Sequence, residues 1–314
     1  MKVIHYPTLS ASLLHDLQAS TGYCATIGFF DGVHRGHRFL LNELKQVARE
    51  RNMQSMVITF GQHPRCALQT DYRPSLLTTL EHKLKLLEAL NPDVCVVLNF
   101  DVALSKLTAR HFMQQYLYDM LRVRCLLIGH DHRFGCNRTD GFEQYQNYGA
   151  TMGLEVLQAS AFCEEGVTYS SSAVRRLLEA GNVRLATQFL ERPYTLCGTI
   201  VEGRRVGRNL GFPTANLQPV CSDLLIPASG VYAVYAEVRG SRYATMLNIG
   251  RRPTLDNGSD STIEAHLFNF SGNLYGEPLC LHFVERLRDE KRFASLDALR
   301  QQLCIDAQMA QQLL

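Results

Sequence analysis

Residues 25–37 read Ala25-Thr26-Ile27-Gly28-Phe29-Phe30-Asp31-Gly32-Val33-His34-Arg35-Gly36-His37, and they decide the fold of the first half of the chain. Residues 23–29 are apolar with a β-branched pair, the composition of a short buried strand. Glycines at 28, 32 and 36 then break the strand and allow tight turns and close backbone approach. From His37 to about Arg51, the residues Leu40, Leu41, Leu44, Val47 and Ala48 recur at helical spacing. Two histidines separated by Arg-Gly therefore sit where a strand becomes a helix. The free N–H groups and positive dipole end of such a helix attract anions. Gly36 lets a phosphate approach the backbone, and His34 and His37 can donate hydrogen bonds to its oxygens. That geometry suits nucleotidyl transfer, in which the catalyst mostly positions and neutralises a charged transition state. A chance pair of surface histidines carries the same letters. A metal site is a weaker reading, because no further Cys or His cluster lies at ligand spacing nearby.

Outward from this stretch, strands are expected at 55–60, 93–100, 124–129 and 154–158, with helices between them. Thr78 with Glu81 reads as a capping box and Thr108 as a further cap. Strand and helix alternate, which predicts a doubly wound α/β sheet whose ligands bind beyond the carboxyl ends of the strands. His34 and His37, His63 to Arg65, and His130 to Arg138 all fall at such ends. The loop Gly129-His130-Asp131-His132-Arg133-Phe134-Gly135 mixes charge, aromatic and glycine, as a ligand loop or a solvated one would. In Tyr169-Ser170-Ser171-Ser172-Ala173-Val174-Arg175, one serine is explained as a helix cap. Three hydroxyls with an arginine one turn in also suit a polyphosphate.

The helical pattern ends near Arg192, and a short linker is expected at 182–193. Strand-like segments follow at 194–201, 231–239, 242–249, 263–270 and 279–287, separated by Gly-rich turns. They predict a mainly antiparallel barrel or sandwich, closed by a helix from Ser295. The densest chemistry here is Gly203-Arg204-Arg205-Val206-Gly207-Arg208-Asn209-Leu210-Gly211-Phe212-Pro213-Thr214-Ala215-Asn216. Its glycines and arginines can wrap phosphates, or form a basic surface loop. Thr214 and Asn216 offer hard oxygen ligands suited to Mg²⁺. Glu264, in a strand apolar on either side of it, is a candidate general base, or an edge glutamate facing water.

Composition sets the outer limits. The 314 residues fit about two domains at ~150 residues each. Hydrophobic content of 46% and charged content of 20% describe a soluble globular chain. A net charge of +2 gives no electrostatic support to nucleic-acid binding. The first residues form neither a signal peptide nor a membrane span. Ten cysteines, with no Cys-x-x-Cys pair, argue for reduced thiols in a cytoplasm.

With both halves read, the chain resembles the bifunctional bacterial riboflavin kinase/FAD synthetase family over about residues 20–310. In the first half the resemblance rests on Gly28 to His37, Phe60 with His63-Pro64-Arg65, Gly129-x-Asp131 with Arg133-Phe134-Gly135, and Ser170-Ser171-Ser172 with Arg175. In the second half it rests on Gly211 to Asn216, Gly230-Val231-Tyr232, Asn248-Ile249-Gly250 with Arg252-Pro253-Thr254, Glu264 with His266, and Arg288-x-Glu290 with Phe293. The resemblance implies an FMN adenylyltransferase domain at 1–185 and a riboflavin kinase domain at 186–314, with Mg²⁺ and ATP as co-substrate. Glu264 would take the proton of the riboflavin hydroxyl, and Thr214 and Asn216 would hold Mg²⁺. His34 and His37 would act on the ATP phosphates. Gly28, Phe30, Asp31, Gly36, Ser171, Ser172 and Arg175 would bind the nucleotide in the first domain, and Gly207, Arg208, Gly211, Pro213, Thr214 and Asn216 in the second. Phe60, Pro64, Asp131, Arg133, Phe134, Asn248, Arg288 and Glu290 would contact flavin. His132 stands where the family usually has Phe, and Ser172 where it has Thr. Small molecules (riboflavin, FMN and ATP) are the implied partners, with neither nucleic acid nor membrane, in the cytoplasm. One retained activity, or a non-catalytic flavin-binding protein, are the alternative readings.

Overall fold

The computed structural model describes residues 1–6, 22–69, 71–130, 132–136, 139–164, 166–203, 210–252 and 260–314. By internal contacts the chain divides into two units, residues 1–74 with 78–169, and 75–77 with 170–314.

The first unit is a six-stranded parallel sheet of β1 (Lys2–Tyr6), β2 (Tyr23–Ile27), β3 (Gln54–Phe60), β4 (Val94–Leu98), β5 (Val123–Ile128) and β6 (Glu155–Gln158), in the order β1-β4-β3-β2-β5-β6. Its helices are α1 (Arg35–Glu50), α2 (Pro64–Leu68), α3 (Leu80–Glu88), α4 (Val102–Ser105), α5 (Ala109–Phe112), which continues as a π-helix over Met113–Met120, and α6 (Phe142–Met152). A short antiparallel pair, β7 (Cys163–Glu164) and β8 (Val167–Thr168), follows the sheet. Alternate strand residues feed two cores. Ala25, Met56, Val96 and Leu126 pack with Phe112, Leu117 and Tyr145 on one face. Cys24, Val57, Cys95 and Leu127 pack with Leu41, Leu44 and Leu87 on the other. Both faces are covered, so the strands read as unbroken apolar runs. The strand order reverses between β2 and β5, and the carboxyl ends there form the crevice that such sheets use for ligands.

β1 is a difference from the sequence expectation. Among the described residues it is a short edge strand paired with β4, and Ile4 is its one buried residue, so no apolar run marks it. The helix cap at α3 is Thr79, whose hydroxyl accepts from the His82 N–H. Thr78 is drawn instead to Asp31.

The second unit begins with two helices, α7 (Ser171–Glu179) and α8 (Val183–Leu190). Most of the stretch expected as a linker is thus helix α8, with Val183, Ala186, Phe189 and Leu190 buried. A closed barrel follows, built of β9 (Thr195–Val201), β10 (Ala215–Pro219), β11 (Gly230–Val238), β12 (Ser241–Arg252), β13 (Asp260–Leu267) and β14 (Pro278–Arg288) in the order β10-β13-β12-β11-β14-β9. β10 is the strand not anticipated, because Pro213 and three polar side chains mask its alternation. Tyr232, Val234, Leu247, Ala265, Leu281 and Phe283 are fully buried and alternate along their strands. The alternate residues Val231, Ala233 and Met246 face outward and are covered by α9 (Leu296–Leu313) through Leu303, Ala307 and Ala310. Ser295 caps α9, as its sequence signal requires.

The expectation of reduced thiols is corrected at one pair. Cys197 and Cys280 are direct partners on β9 and β14 and are joined as a disulfide. A separation of 83 residues carries no hint of that pairing, which strand register alone creates.

Candidate active sites

In the first unit, the chain leaves β2 through a 3₁₀ turn, Asp31–Val33, flanked by left-handed backbone at Phe30 (φ 55°) and Val33 (φ 40°). A left-handed β-branched residue costs about 1–3 kcal/mol and persists only where its surroundings hold it. Here the holder is Asp31. Its carboxylate is buried and accepts from the Thr78 N–H (3.0 Å) and hydroxyl (3.1 Å), while the Gly32 N–H donates to the Thr78 oxygen (3.2 Å). Asp31, expected at the nucleotide, thus braces the turn. Phe30 is buried against Gly28, whose N–H is spent on the Ile58 carbonyl, so these residues shape the loop from beneath.

The braced turn delivers His34 to the cap of α1. Its Nδ1 accepts from the His37 N–H at 3.4 Å. A neutral His34 must then carry its proton on Nε2, as a donor. The His34 and His37 rings stack with centroids 3.6 Å apart. A Cβ at Gly36 would lie 3.1 Å from the Tyr169 carbonyl oxygen and 3.3 Å from the His34 ring, so any side chain there would crowd both neighbours. Burial first, and then the nearby His34, Lys83 and His132, hold the His37 imidazole well below the usual histidine range. His37 is thus neutral at physiological pH, and its Nδ1 is shielded without a hydrogen-bond partner. The sequence reading missed two supports. Arg35 donates to the Tyr169 hydroxyl at 3.1 Å beside the Phe162 ring. Lys83 is buried beneath the loop.

Beyond β5, a cleft of about 430 Å³ is lined by Gly129, His130, His132, Arg133, Phe142 and Gln158. Its size falls in the range of small-molecule sites. Phe134 stacks on Tyr145 at 4.3 Å, and its N–H donates to the Tyr145 hydroxyl, so the aromatic anchors the loop. Phe60, expected at the flavin, is the buried last residue of β3 and packs edge-on against Phe100. Pro64 opens α2 behind the His63 cap. Asp131 lies outside the described residues.

Ser170 caps α7, as one serine was expected to, and Ser171 and Ser172 occupy its first turn. The Arg175 Nε donates to the Ser75 carbonyl within the second unit.

In the barrel, strand pairing sets Asn216 opposite Glu264, Glu264 opposite Asn248, Asn248 opposite Val231, and Val231 opposite Arg288. Directly paired residues share a sheet face, so four polar side chains form one row on the outer face. The Thr214 hydroxyl lies 3.4 Å from the Glu264 carboxylate. A Cβ at Gly203 would lie 2.0 Å from the Asn216 amide, which explains a glycine there. The Pro213 carbonyl accepts from His266 Nδ1 at 2.8 Å, fixing that tautomer. Glu290 reaches over β12, where its carboxylate would be 2.8 Å from a Cβ at Gly250. Arg288, expected at the flavin, is engaged by protein groups. Its Nε and Nη2 grip the buried Asp306 carboxylate (2.9 and 2.7 Å), and Nη1 donates to the Asp289 carbonyl. Arg288 therefore ties the loop bearing Glu290 to α9. Asp306 was not anticipated. Gly211 adopts φ +88° with open space around it, and Gly207 and Arg208 lie outside the described residues.

The comparisons follow the same division. The FAD synthetase family model matches residues 16–173, and the riboflavin kinase family model matches residues 190–314. The bifunctional riboflavin kinase/FMN adenylyltransferase of Escherichia coli (strain K12) is 39% identical over 296 residues, covering 93% of this chain and 94% of the relative. That of Bacillus subtilis (strain 168) is 33% identical over 318 residues, covering 99% and 97%. The crystal structure of a macrolide-efflux protein from Streptococcus pneumoniae matches 99% of both chains at 27% identity, with a TM-score of 0.86. No helix among the described residues is long and apolar enough to cross a membrane.

Proposed function

The chain belongs to the bifunctional riboflavin kinase/FMN adenylyltransferase family, and from that premise we propose which residues carry each reaction. It is an enzyme of flavin cofactor synthesis that phosphorylates riboflavin to FMN and adenylylates FMN to FAD, with ATP as co-substrate of both steps. We propose that the functional boundary falls near residue 185, within α8 and in the interval between the two family matches.

In the barrel, the Glu264 carboxylate takes the proton of the ribityl 5′-hydroxyl as its oxygen attacks the γ-phosphorus and ADP departs. The observation that carries this assignment is the Thr214 hydroxyl against Glu264, with Asn216 beside it in register. Hard oxygen donors next to a carboxylate fit Mg²⁺, which Thr214 and Asn216 would hold and which would neutralise phosphate charge. Asn248 and Glu290 flank Glu264 on the same face and would orient the flavin. Arg288 keeps their loop in place through Asp306.

In the first unit, an FMN phosphate oxygen attacks the α-phosphorus of ATP and pyrophosphate leaves. His34 and the neutral His37 donate hydrogen bonds to phosphate oxygens at the dipole end of α1, and Gly36 gives the nucleotide access to the backbone. The cleft lined by His132 and Arg133 takes the flavin. A cytoplasmic location fits the demand for ATP.

Product analysis tests the reading: riboflavin, ATP and Mg²⁺ are incubated with the full chain, and the three flavins are separated over time. FMN that rises and then yields to FAD supports both assignments. FMN accumulating alone marks a defective first site, with His132 the first residue to replace by Phe. No conversion leaves the non-catalytic flavin-binding reading.

A further inference from the structure

Lys83 has no place in the reaction as described so far. It lies on α3, is 2% exposed, and sits directly beneath the histidine loop. Its Nζ donates to the carbonyl of Phe29, just past β2, at 3.0 Å, and to that of Phe60, the last residue of β3, at 2.9 Å. The ammonium also lies 4.2 Å from the centre of the Phe29 ring. The Phe29 carbonyl accepts a further bond from the Thr59 hydroxyl, so Lys83 is not needed to satisfy that group. Burying a lysine charge is costly, and an apolar residue of like length would fill the same space. The charged groups around it are few. Asp31 faces it from the loop, the Cys95 thiol from β4, and His37 from α1.

We propose that Lys83 is a positioning and charge-balancing residue of adenylyl transfer, tying the carboxyl ends of β2 and β3 together and holding a fixed positive charge under the phosphate-binding loop. The inference rests on the assignment of His34 and His37 to that reaction. A polyphosphate brought to the mouth of α1 meets a cation that needs no reorganisation, and such preorganised charge acts strongly where water is excluded. The same cation helps keep His37 neutral.

Burial pushes the Lys83 amine down to about 8, against a smaller opposing pull from Asp31. It is therefore charged at neutral pH and loses its proton in mildly alkaline solution. Adenylyl transfer should then decline above about pH 8, whereas riboflavin phosphorylation by the same chain should not follow that limb. Bound ATP favours the charged amine, so the limb moves to higher pH in kcat than in kcat/KM for ATP.

The test measures both reactions of the full-length protein across pH, with variants K83M, K83R and H37A. K83M is expected to lower kcat/KM for ATP in FAD formation by ~100-fold, to abolish the alkaline limb, and to leave FMN formation unchanged. K83R keeps its charge at every pH and should recover at least about tenfold of that loss, with the limb displaced upward. FAD formation by K83M within about threefold of the parent overturns the proposal. Where a thermal melt shows that K83M has lost its first unit, the parent profile decides. A FAD-formation profile parallel to that of FMN formation through about pH 8 overturns it equally. H37A that keeps full FAD formation removes the site assignment and the proposal with it. An inactive H37A beside a fully active K83M removes the role of Lys83 alone.

Discussion

In the first unit the candidate groups ride on loops beyond the carboxyl ends of parallel strands, whereas in the barrel they stand on the strands themselves. The loop site needs braces: a left-handed Val33, a buried Asp31–Thr78 contact and a buried lysine hold two stacked imidazoles in place. The barrel site obtains its alignment from strand pairing, because Asn216, Glu264 and Asn248 are neighbours by register. The chemistry differs accordingly. Imidazole donors and fixed positive charge serve a reaction whose nucleophile is already an anion. A carboxylate serves one whose nucleophile is a hydroxyl that must lose a proton.

That contrast can be broken most severely at Glu264. E264Q keeps shape and register but cannot accept the proton, so FMN formation should fall ~10³-fold while FAD formation from supplied FMN is unchanged. H37A should do the reverse, lowering FAD formation ~10²-fold with FMN formation intact. If either variant silenced both reactions in a folded chain, the two-site division would fail.

A smaller effect sharpens the comparison inside the barrel. D306N removes the charge that grips Arg288, and loosening of the loop bearing Glu290 should raise the KM for riboflavin about tenfold with kcat less affected. An equal fall in kcat would place Arg288 on the reacting groups instead.

The smallest effect concerns pH and the first unit alone. His37 holds its proton less tightly when folded than the unfolded histidine, whose value is near 6.5. Below that pH the unfolded chain binds a proton that the folded one refuses, so folded stability is lost as pH falls. FAD-forming activity should therefore melt a few degrees earlier at mildly acidic pH, while FMN-forming activity melts at its neutral-pH temperature.

The two sites also differed in how much of them could be read from sequence. The His34-Arg35-Gly36-His37 loop was legible because a glycine-broken strand running into an amphipathic helix leaves few alternatives. The polar row of the barrel was legible only residue by residue, since pairing between β10, β12 and β13 has no sequence mark. Lys83 and Asp306 were passed over because each is a charged residue within a helix, where solvent is the ordinary destination. Yet each falls on its helix's apolar stripe, Lys83 among Leu80, Leu84 and Leu87, and Asp306 among Leu299, Leu303 and Ala310. A charge on such a stripe was the available signal. Burial of Phe30 and Asp31 was not legible, because a loop's inner and outer faces follow no period.

The row across β10, β13 and β12 has a consequence for how this half of the gene can drift. Side chains alternate faces along a strand, so a single-residue insertion or deletion that slipped β13 would send Glu264 inward and bring Ile263 or Ala265 to the outer face. Such a slip would also put Thr262, Glu264 and His266 into the core in place of Ile263, Ala265 and Leu267, so the barrel would lose its packing together with its phosphoryl-transfer chemistry. A length change within these strands therefore costs core and catalysis together, whereas one in a turn leaves the register of the row intact.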